Sequence, residues 1–284
     1  MIKKENKNGK NENINIHEQL GEKIPEIPKI PVITKEISNP VLIGLLNIGA
    51  TCYMNTTLQC SSHVDRLVNY LLDDKTYKEL EKEKKTTKRL AFSFAEVLKN
   101  LWKILSQKYY ASEYFKEVIC DMNPIFKGIA ANDSKDLIIF MLENIHKELN
   151  TKQINSNNII NSPEPNPCDF NAVYIDFINH YKKYNESIIT KEFYGFNNTM
   201  ATCNNCYNSI HNVQAYNILF FPLEEVRKYK NYNINKVSKI DCFDHSQKKD
   251  FFPSFFCNIC NHNSSANSQS ILVDTPKTLI INLN

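Results

Sequence analysis

Two short cysteine pairs, Cys203-Asn-Asn-Cys206 and Cys257-Asn-Ile-Cys260, stand fifty residues apart in a chain of 284 residues. A C-x-x-C turn aims two thiolates at one ion, and two such turns complete a tetrahedral Cys₄ zinc site. A lone pair can instead be a redox couple, but two pairs on strand-like flanks favour one structural zinc. Whatever the fold, it must bring these two turns together. The chain has nine cysteines, an awkward disulfide set but a natural one for metal ligands plus a reactive thiol in a reducing compartment. The expected location is cytoplasmic or nuclear.

The rest of the composition narrows the class. At 42% hydrophobic and 23% charged the chain has ample material for a core. A net charge of +3 is too small to make nucleic acid or an anionic membrane the main partner. A zinc-ribbon nucleic-acid binder would fit the two pairs, but the clustered basic face that phosphate contacts require is missing. No run approaches the roughly 18 apolar residues of a membrane span. The segment from Met1 to Lys10 has basic residues but no apolar stretch behind them, so no secretory signal is expected.

Residues 1–39 read as a polar, proline-punctuated tail that cannot bury enough surface to fold alone. Beyond Val41, Met54, Leu58, Val64, Leu67, Val68, Leu71 and Leu72 recur at helical spacing, so one helix is expected from Cys52 to a stop at Asp73-Asp74. A charged connector is expected over 73–89. A second helix follows on Leu90, Phe94, Val97, Leu98, Leu101 and Leu105. A third starts near Asp133, with Asp136 in its first turn at the positive end of the dipole. Residues 150–169 read as a loop, and Phe170, Val173, Phe177, Tyr181 and Tyr184 mark a further helix. After Phe193 the pattern turns strand-like. Helices first and strands later predict an α+β architecture.

Glycine is scarce, with six in the chain, so each should answer a backbone need. Gly44 and Gly49 fall just before Cys52, and Gly195 shortly before Cys203. Cys52 opens a helix, where unpaired backbone N–H groups and the dipole favour a thiolate. The turn Gly49-Ala50-Thr51 would let a substrate approach the backbone. Asn47 offers an amide to an oxygen that gains negative charge in acyl transfer. The same cysteine could equally be a buried small residue opening an amphipathic helix; spacing alone does not choose.

The stretch Gly44-Leu-Leu-Asn-Ile-Gly-Ala-Thr-Cys-Tyr-Met-Asn-Thr-Thr-Leu-Gln59 resembles the cysteine box of the ubiquitin-specific proteases, a papain-like family of ubiquitin carboxyl-terminal hydrolases. The resemblance implies Cys52 as nucleophile and Asn47 as oxyanion donor. Ala50 stands where the family usually has Asn. Asn132-Asp-Ser-Lys-Asp-Leu-Ile-Ile-Phe-Met-Leu is similar to the family's second motif. It implies that Asp133 and Asp136 line the channel for ubiquitin's C-terminal tail, whose arginines would bond to them. Ala131 and Asn132 replace the glutamines usual there, so those contacts are not carried over. The two cysteine pairs, with Phe193-Tyr-Gly-Phe196 before them and the 271–283 strand after, resemble the family's fingers, where one zinc on Cys203, Cys206, Cys257 and Cys260 pins two ribbons that grip ubiquitin.

The implied fold is a papain-like cysteine peptidase of thumb, palm and fingers, with a helical thumb over 40–190 and zinc-ribbon fingers plus the start of the palm over 191–284. The implied partner is ubiquitin or a ubiquitinated protein, bound by a monomer, with no role for nucleic acid or membrane. Cys242-Phe-Asp-His245 and His262 are weaker metal candidates, expected to be structural and surface respectively. Cys60, Cys120 and Cys168 are expected to be core or surface thiols.

A thiol protease of this kind also needs an imidazole base and a group to orient it. None of the seven histidines, at 17, 63, 146, 180, 211, 245 and 262, has a matching context. The sequence therefore reads as a catalytic domain cut before its histidine, with an incomplete palm and little turnover of its own. A ubiquitin-binding pseudoenzyme is the alternative.

Overall fold

The computed structural model describes residues 43–87, 89–102, 108–128, 130–152, 164–230 and 236–284. The tail expected over 1–39 lies outside them, as does Leu105. The described residues form one compact unit. It opens with the short strand β1 (Gly44–Leu45), then α1 (Cys52–Ser61), α2 (Asp65–Leu71), α3 (Asp74–Glu83) and α4 (Arg89–Trp102). Strand β2 (Tyr109–Tyr110) pairs in parallel with β1. Then come α5 (Glu113–Met122), a 3₁₀ turn at Pro124–Phe126, α6 (Ser134–Leu149), α7 (Phe170–Tyr184) and α8 (Ile188–Phe193).

The helical half forms where apolar residues recur every three to four positions. On α4, Leu90, Phe94, Val97, Leu98 and Leu101 are all buried, as are Leu137, Met141, Leu142, Ile145 and Leu149 on α6. Each such side chain stabilises the fold by roughly 1.5–3 kcal/mol. Asp133 caps α6 by accepting from Lys135 N at 2.8 Å. The first turn of α4 is capped from elsewhere. The Glu148 carboxylate at the end of α6 accepts from Leu90 N at 3.0 Å and Ala91 N at 2.7 Å, placing negative charge at the positive end of α4.

Three expectations need correcting here. The single helix expected from Cys52 to Asp73 is two, α1 and α2. Ser62 Oγ donates to Gln59 O at 2.8 Å and His63 Nδ1 lies 2.8 Å from the same carbonyl, so side chains close the helix locally. His63 therefore lies in the turn rather than on a helix. The charged connector over 73–89 is largely α3, capped by Asp73 and anchored by buried Leu80. One buried leucine among charges leaves too narrow an apolar stripe to be read as a helix. The strand-rich half, lastly, contains two helices.

That half holds β3 (Gly195–Cys203), β4 (Ser209–Tyr216), β5 (Ile218–Phe221), α9 (Leu223–Lys230), α10 (Lys239–Ser246), β6 (Lys249–Cys257), β7 (His262–Asp274) and β8 (Ile280–Leu283). Four strands make one antiparallel sheet in the order β4-β3-β7-β6, and β5 pairs in parallel with β8. The architecture is α+β, as expected. A small core of Phe221, Val226 and Cys242 lies beneath α9 and α10, so Cys242 is a packing residue. Gly195 sits where β3 must pass close to β7. A Cβ there would stand 2.6 Å from Asp274 O and 2.7 Å from the Tyr216 ring. Among the described residues, no helix is long and apolar enough to cross a membrane.

Candidate active site and metal centre

Cys52 is the first residue of α1 and is exposed. The turn before it is built around one side chain. Asn47 Oδ1 accepts from Gly49 N at 3.2 Å, Thr51 N at 3.1 Å and Thr51 Oγ1 at 3.1 Å. Thr51 Oγ1 in turn accepts from Ile48 N at 3.1 Å. Two of the three groups on Oδ1 are backbone N–H donors, so the amide orientation is fixed by chemistry and Nδ2 must point away from the turn. Among the described residues Nδ2 has no acceptor. The turn also bends hard, with Gly49 at φ 113° and Ala50 at φ 48°. Because Thr51 spends its hydroxyl on Asn47, it makes no side-chain cap to α1, which leaves the first N–H groups of the helix open beside Cys52.

The helix carrying Cys52 is tied to the strand before it. Asn55 Nδ2 donates to Leu45 O at 3.3 Å and Leu46 O at 3.1 Å, and Gln59 Nε2 donates to Ile43 O at 3.2 Å. Leu46 N in turn donates to Tyr110 O at 2.9 Å. Sequence reading assigned no role to Asn55 or Gln59. Their spacing from Cys52, three and seven residues, puts all three on one helical face, a signal that was there to use. Lys116 was also missed. Its Nζ donates to Phe126 O at 2.7 Å and Tyr53 Oη at 3.2 Å, bracing the residue after Cys52 against the segment that leads to Asp133.

The start of α6 lies against α1, where Thr57 Oγ1 donates to Ser134 O at 3.4 Å. Asp133 and Asp136 are both exposed. Part of Asp133 is committed to its cap, and Lys135 lies between the two acids, 4.0 Å from Asp133 and 3.6 Å from Asp136. A cavity of about 420 Å³ opens beside them, lined by Thr56, Thr57, Cys60, Lys135, Ile138 and Ile280 among others.

The described histidines are engaged elsewhere. His146 Nδ1 lies 2.9 Å from Ser187 Oγ and its Nε2 3.2 Å from Asn185 Oδ1, while His211 meets Asn198 at 3.0 Å. Among the described residues, no histidine is hydrogen-bonded to Cys52. His17 lies outside them.

At the tip of the four-stranded sheet the two cysteine turns meet. The four Sγ atoms of Cys203, Cys206, Cys257 and Cys260 lie within 4.8 Å of one another. A tetrahedral zinc at about 2.3 Å from each sulfur requires sulfur–sulfur edges of about 3.8 Å, and Cys206 Sγ stands 3.7 Å from Cys257 Sγ. The donor set fits such an ion. The residue after each second cysteine, Tyr207 at φ 59° and Asn261 at φ 53°, takes the left-handed conformation that closes each turn. The Cys203 thiol is drawn down by the backbone N–H groups of Cys206 and Asn205. The Cys260 thiol is drawn down to about 6, chiefly by the Asn205 amide.

The family model described as "Ubiquitin carboxyl-terminal hydrolase" matches residues 43–284. The chain belongs to the ubiquitin carboxyl-terminal hydrolase family. Among curated members, it is 29% identical over 206 residues to a probable ubiquitin carboxyl-terminal hydrolase 1 of Schizosaccharomyces pombe, covering 70% of this chain and 23% of that protein. It is 32% identical over 171 residues to ubiquitin carboxyl-terminal hydrolase 15 of Homo sapiens, covering 59% and 17%.

Among solved structures, the fold matches a chain of the SAGA Ubp8/Sgf11/Sus1/Sgf73 DUB module bound to ubiquitin aldehyde, with a TM-score of 0.55 at 18% identity over 86% of this chain and 47% of that one. A second structure of that module, bound to monoubiquitin, gives 0.57 at 17% identity over 86% and 48%. The chain thus spans less than a quarter of these curated hydrolases and about half of the solved chains. The hydrolase family match runs across the Cys52 turn, the start of α6 and both cysteine turns.

Proposed function

We propose that the chain carries the nucleophile of a cysteine-type deubiquitinase, a thiol protease that hydrolyses the isopeptide or peptide bond after the C-terminus of ubiquitin. The observation that carries this reading is the Asn47 amide. Its oxygen is consumed in building the turn that delivers Cys52, and its N–H₂ is left facing outward. In the step this supports, the Cys52 thiolate attacks the carbonyl carbon of the scissile bond. The carbonyl oxygen takes up the negative charge and is met by Asn47 Nδ2 and the open N–H groups at the start of α1. Collapse expels the lysine amine and leaves a thioester on Cys52, which water then hydrolyses. The leaving amine needs a proton, and the group that removes the Cys52 proton would supply it.

Asp133 and Asp136 would bind the arginine-bearing tail of ubiquitin through charge-assisted bonds, with Lys135 setting how much of their charge is free. Zinc held by Cys203, Cys206, Cys257 and Cys260 would be structural, cross-linking β3 to β6 and β7 so that the sheet presents a stable surface to ubiquitin. The ubiquitin bound in the two solved neighbours supports the same partner here. The protein would act as a monomer in the cytosol or nucleus.

One observation favours a second reading, a ubiquitin-binding protein without turnover: no described histidine bonds to Cys52. Titration with ubiquitin, followed by calorimetry, and release of a fluorophore from the ubiquitin C-terminus separate the two. Binding with release that disappears in Cys52→Ala is the hydrolase outcome. Binding without release is the outcome of the second reading. Absence of binding overturns both.

A further inference from the structure

We propose that Asn205 is a positioning residue of the metal centre: its side-chain amide, on the first cysteine turn, donates to the Cys260 sulfur of the second and tightens the hold of the site on zinc. The inference rests on the zinc reading above and goes beyond it by naming a non-ligand residue.

The bond spans fifty-five residues of chain, with Asn205 Nδ2 at 3.6 Å from Cys260 Sγ, a normal separation for a large sulfur acceptor. The neighbouring residue explains why the amide is aimed there. Asn204 N donates to Ser265 O at 2.9 Å, Asn204 Nδ2 donates to Ser265 Oγ at 2.8 Å, and Asn267 Nδ2 donates back to Asn204 Oδ1 at 2.9 Å. Three bonds to β7 thus fix the first turn without calling on a metal. Asn205 N is itself held at 3.4 Å from Cys203 Sγ. With the backbone anchored on both sides, the Asn205 side chain crosses to the opposite turn.

The two turns are not equivalent in this respect. The position in the second turn that corresponds to Asn205 is Ile259, which is 39% exposed and whose side chain has no donor to offer. The first turn therefore reaches across to the second, and the matching position of the second has no side-chain amide to return. Four thiolates on one divalent ion carry a net charge of −2, and each N–H aimed at a sulfur spreads that charge and orients the ligand. Removing such an outer partner typically costs about 10–100-fold in metal affinity.

The test is competition of the intact chain against a zinc chelator, paired with cobalt(II) spectra, for the wild type, Asn205→Ala and Asn205→Asp. The wild type should take up one cobalt with tetrahedral d–d bands and a sulfur-to-cobalt charge-transfer band. In Asn205→Ala, zinc affinity should fall by about 10–100-fold. The charge-transfer band should move to lower energy, because a sulfur that loses an N–H donor is easier to oxidise. The d–d envelope should stay tetrahedral. Asn205→Asp preserves the size of the side chain but sets an oxygen against the thiolate, and should lose more. Unchanged affinity in both variants overturns the proposal. So does a loss of affinity without any shift of the charge-transfer band, since a generally loosened tip would give that result. A wild-type chain that takes up no cobalt or zinc removes the zinc reading itself, and the proposal with it.

Discussion

Asn47 and Thr51 are joined twice, by the Thr51 backbone N–H and by its hydroxyl, each 3.1 Å from the same amide oxygen. One side chain thus both shapes the turn before Cys52 and offers a donor beyond it. Asn47→Asp separates these tasks, since a carboxylate keeps the acceptor and loses the N–H₂. The variant should fold as the parent does, while acyl transfer from a ubiquitin C-terminal thioester to Cys52 slows by about 10²–10³. Stopped-flow capture reads the rate directly, and a change below threefold would remove Asn47 from the proposed chemistry.

Ala50 holds φ at 48°, a conformation that costs an ordinary L-residue about 1–2 kcal/mol and Asn less. Ala50→Asn should therefore raise unfolding stability by about 0.5–1 kcal/mol with no new tertiary contact. Urea titration checks this, and a loss of stability would mean that the strain is not carried at residue 50.

Zinc bound by the four cysteines, as proposed, should hold the sheet tip and not the helices, so that stripping it loosens the tip alone. The buried residues of α4 and α6 belong to a different core from the cysteine turns. With a chelator, or in Cys257→Ser, hydrogen exchange should accelerate near 203–209 and 255–264, with little change in α4 and α6. Uniform acceleration across the chain would show that the metal holds the whole fold.

Burial holds the His146 imidazole below its usual range, outweighing the Asn185 bond that favours the proton, with Lys147 adding repulsion. A histidine whose folded pKa is depressed leaves the unfolded chain to bind the proton first. Its contribution is fully present above the unfolded value near 6.5 and is lost as the pH falls below it. Urea midpoints should therefore drop between pH 7.5 and 5.5, and drop less in His146→Gln. An equal drop in both would place the titrating group elsewhere.

Much of this was readable from the chain, and the failures share a cause. Runs with several buried apolar residues, such as α4 and α6, declared themselves. So did Asp133, a capping side chain just before such a run. Helix α3 did not, because Leu80 is the single fully buried residue in a helix otherwise made mostly of charges. The break between α1 and α2 was hidden because Val64, Leu67 and Val68 keep the apolar period across a turn made by polar side chains. Residue type and order singled out Cys52, Asn47 and the four paired cysteines as candidates, and the structure sets Asn47 in the turn before Cys52 and gathers the four sulfurs. Asn55, Gln59 and Lys116 act on backbone carbonyls, which the residue string does not mark; the face that Asn55 and Gln59 share with Cys52 is the one trace it holds.

The Glu148 carboxylate closes the start of α4 from 58 and 57 residues away. That makes the first turn of α4 a reporter on a distant event. Leu90 and Ala91 cannot gain their acceptor until the far end of α6 has docked, so this helix must wait for a large loop to close before its own end is sealed. In a folding time course, these two amides should become protected with Leu149 rather than with the middle of the helix they begin.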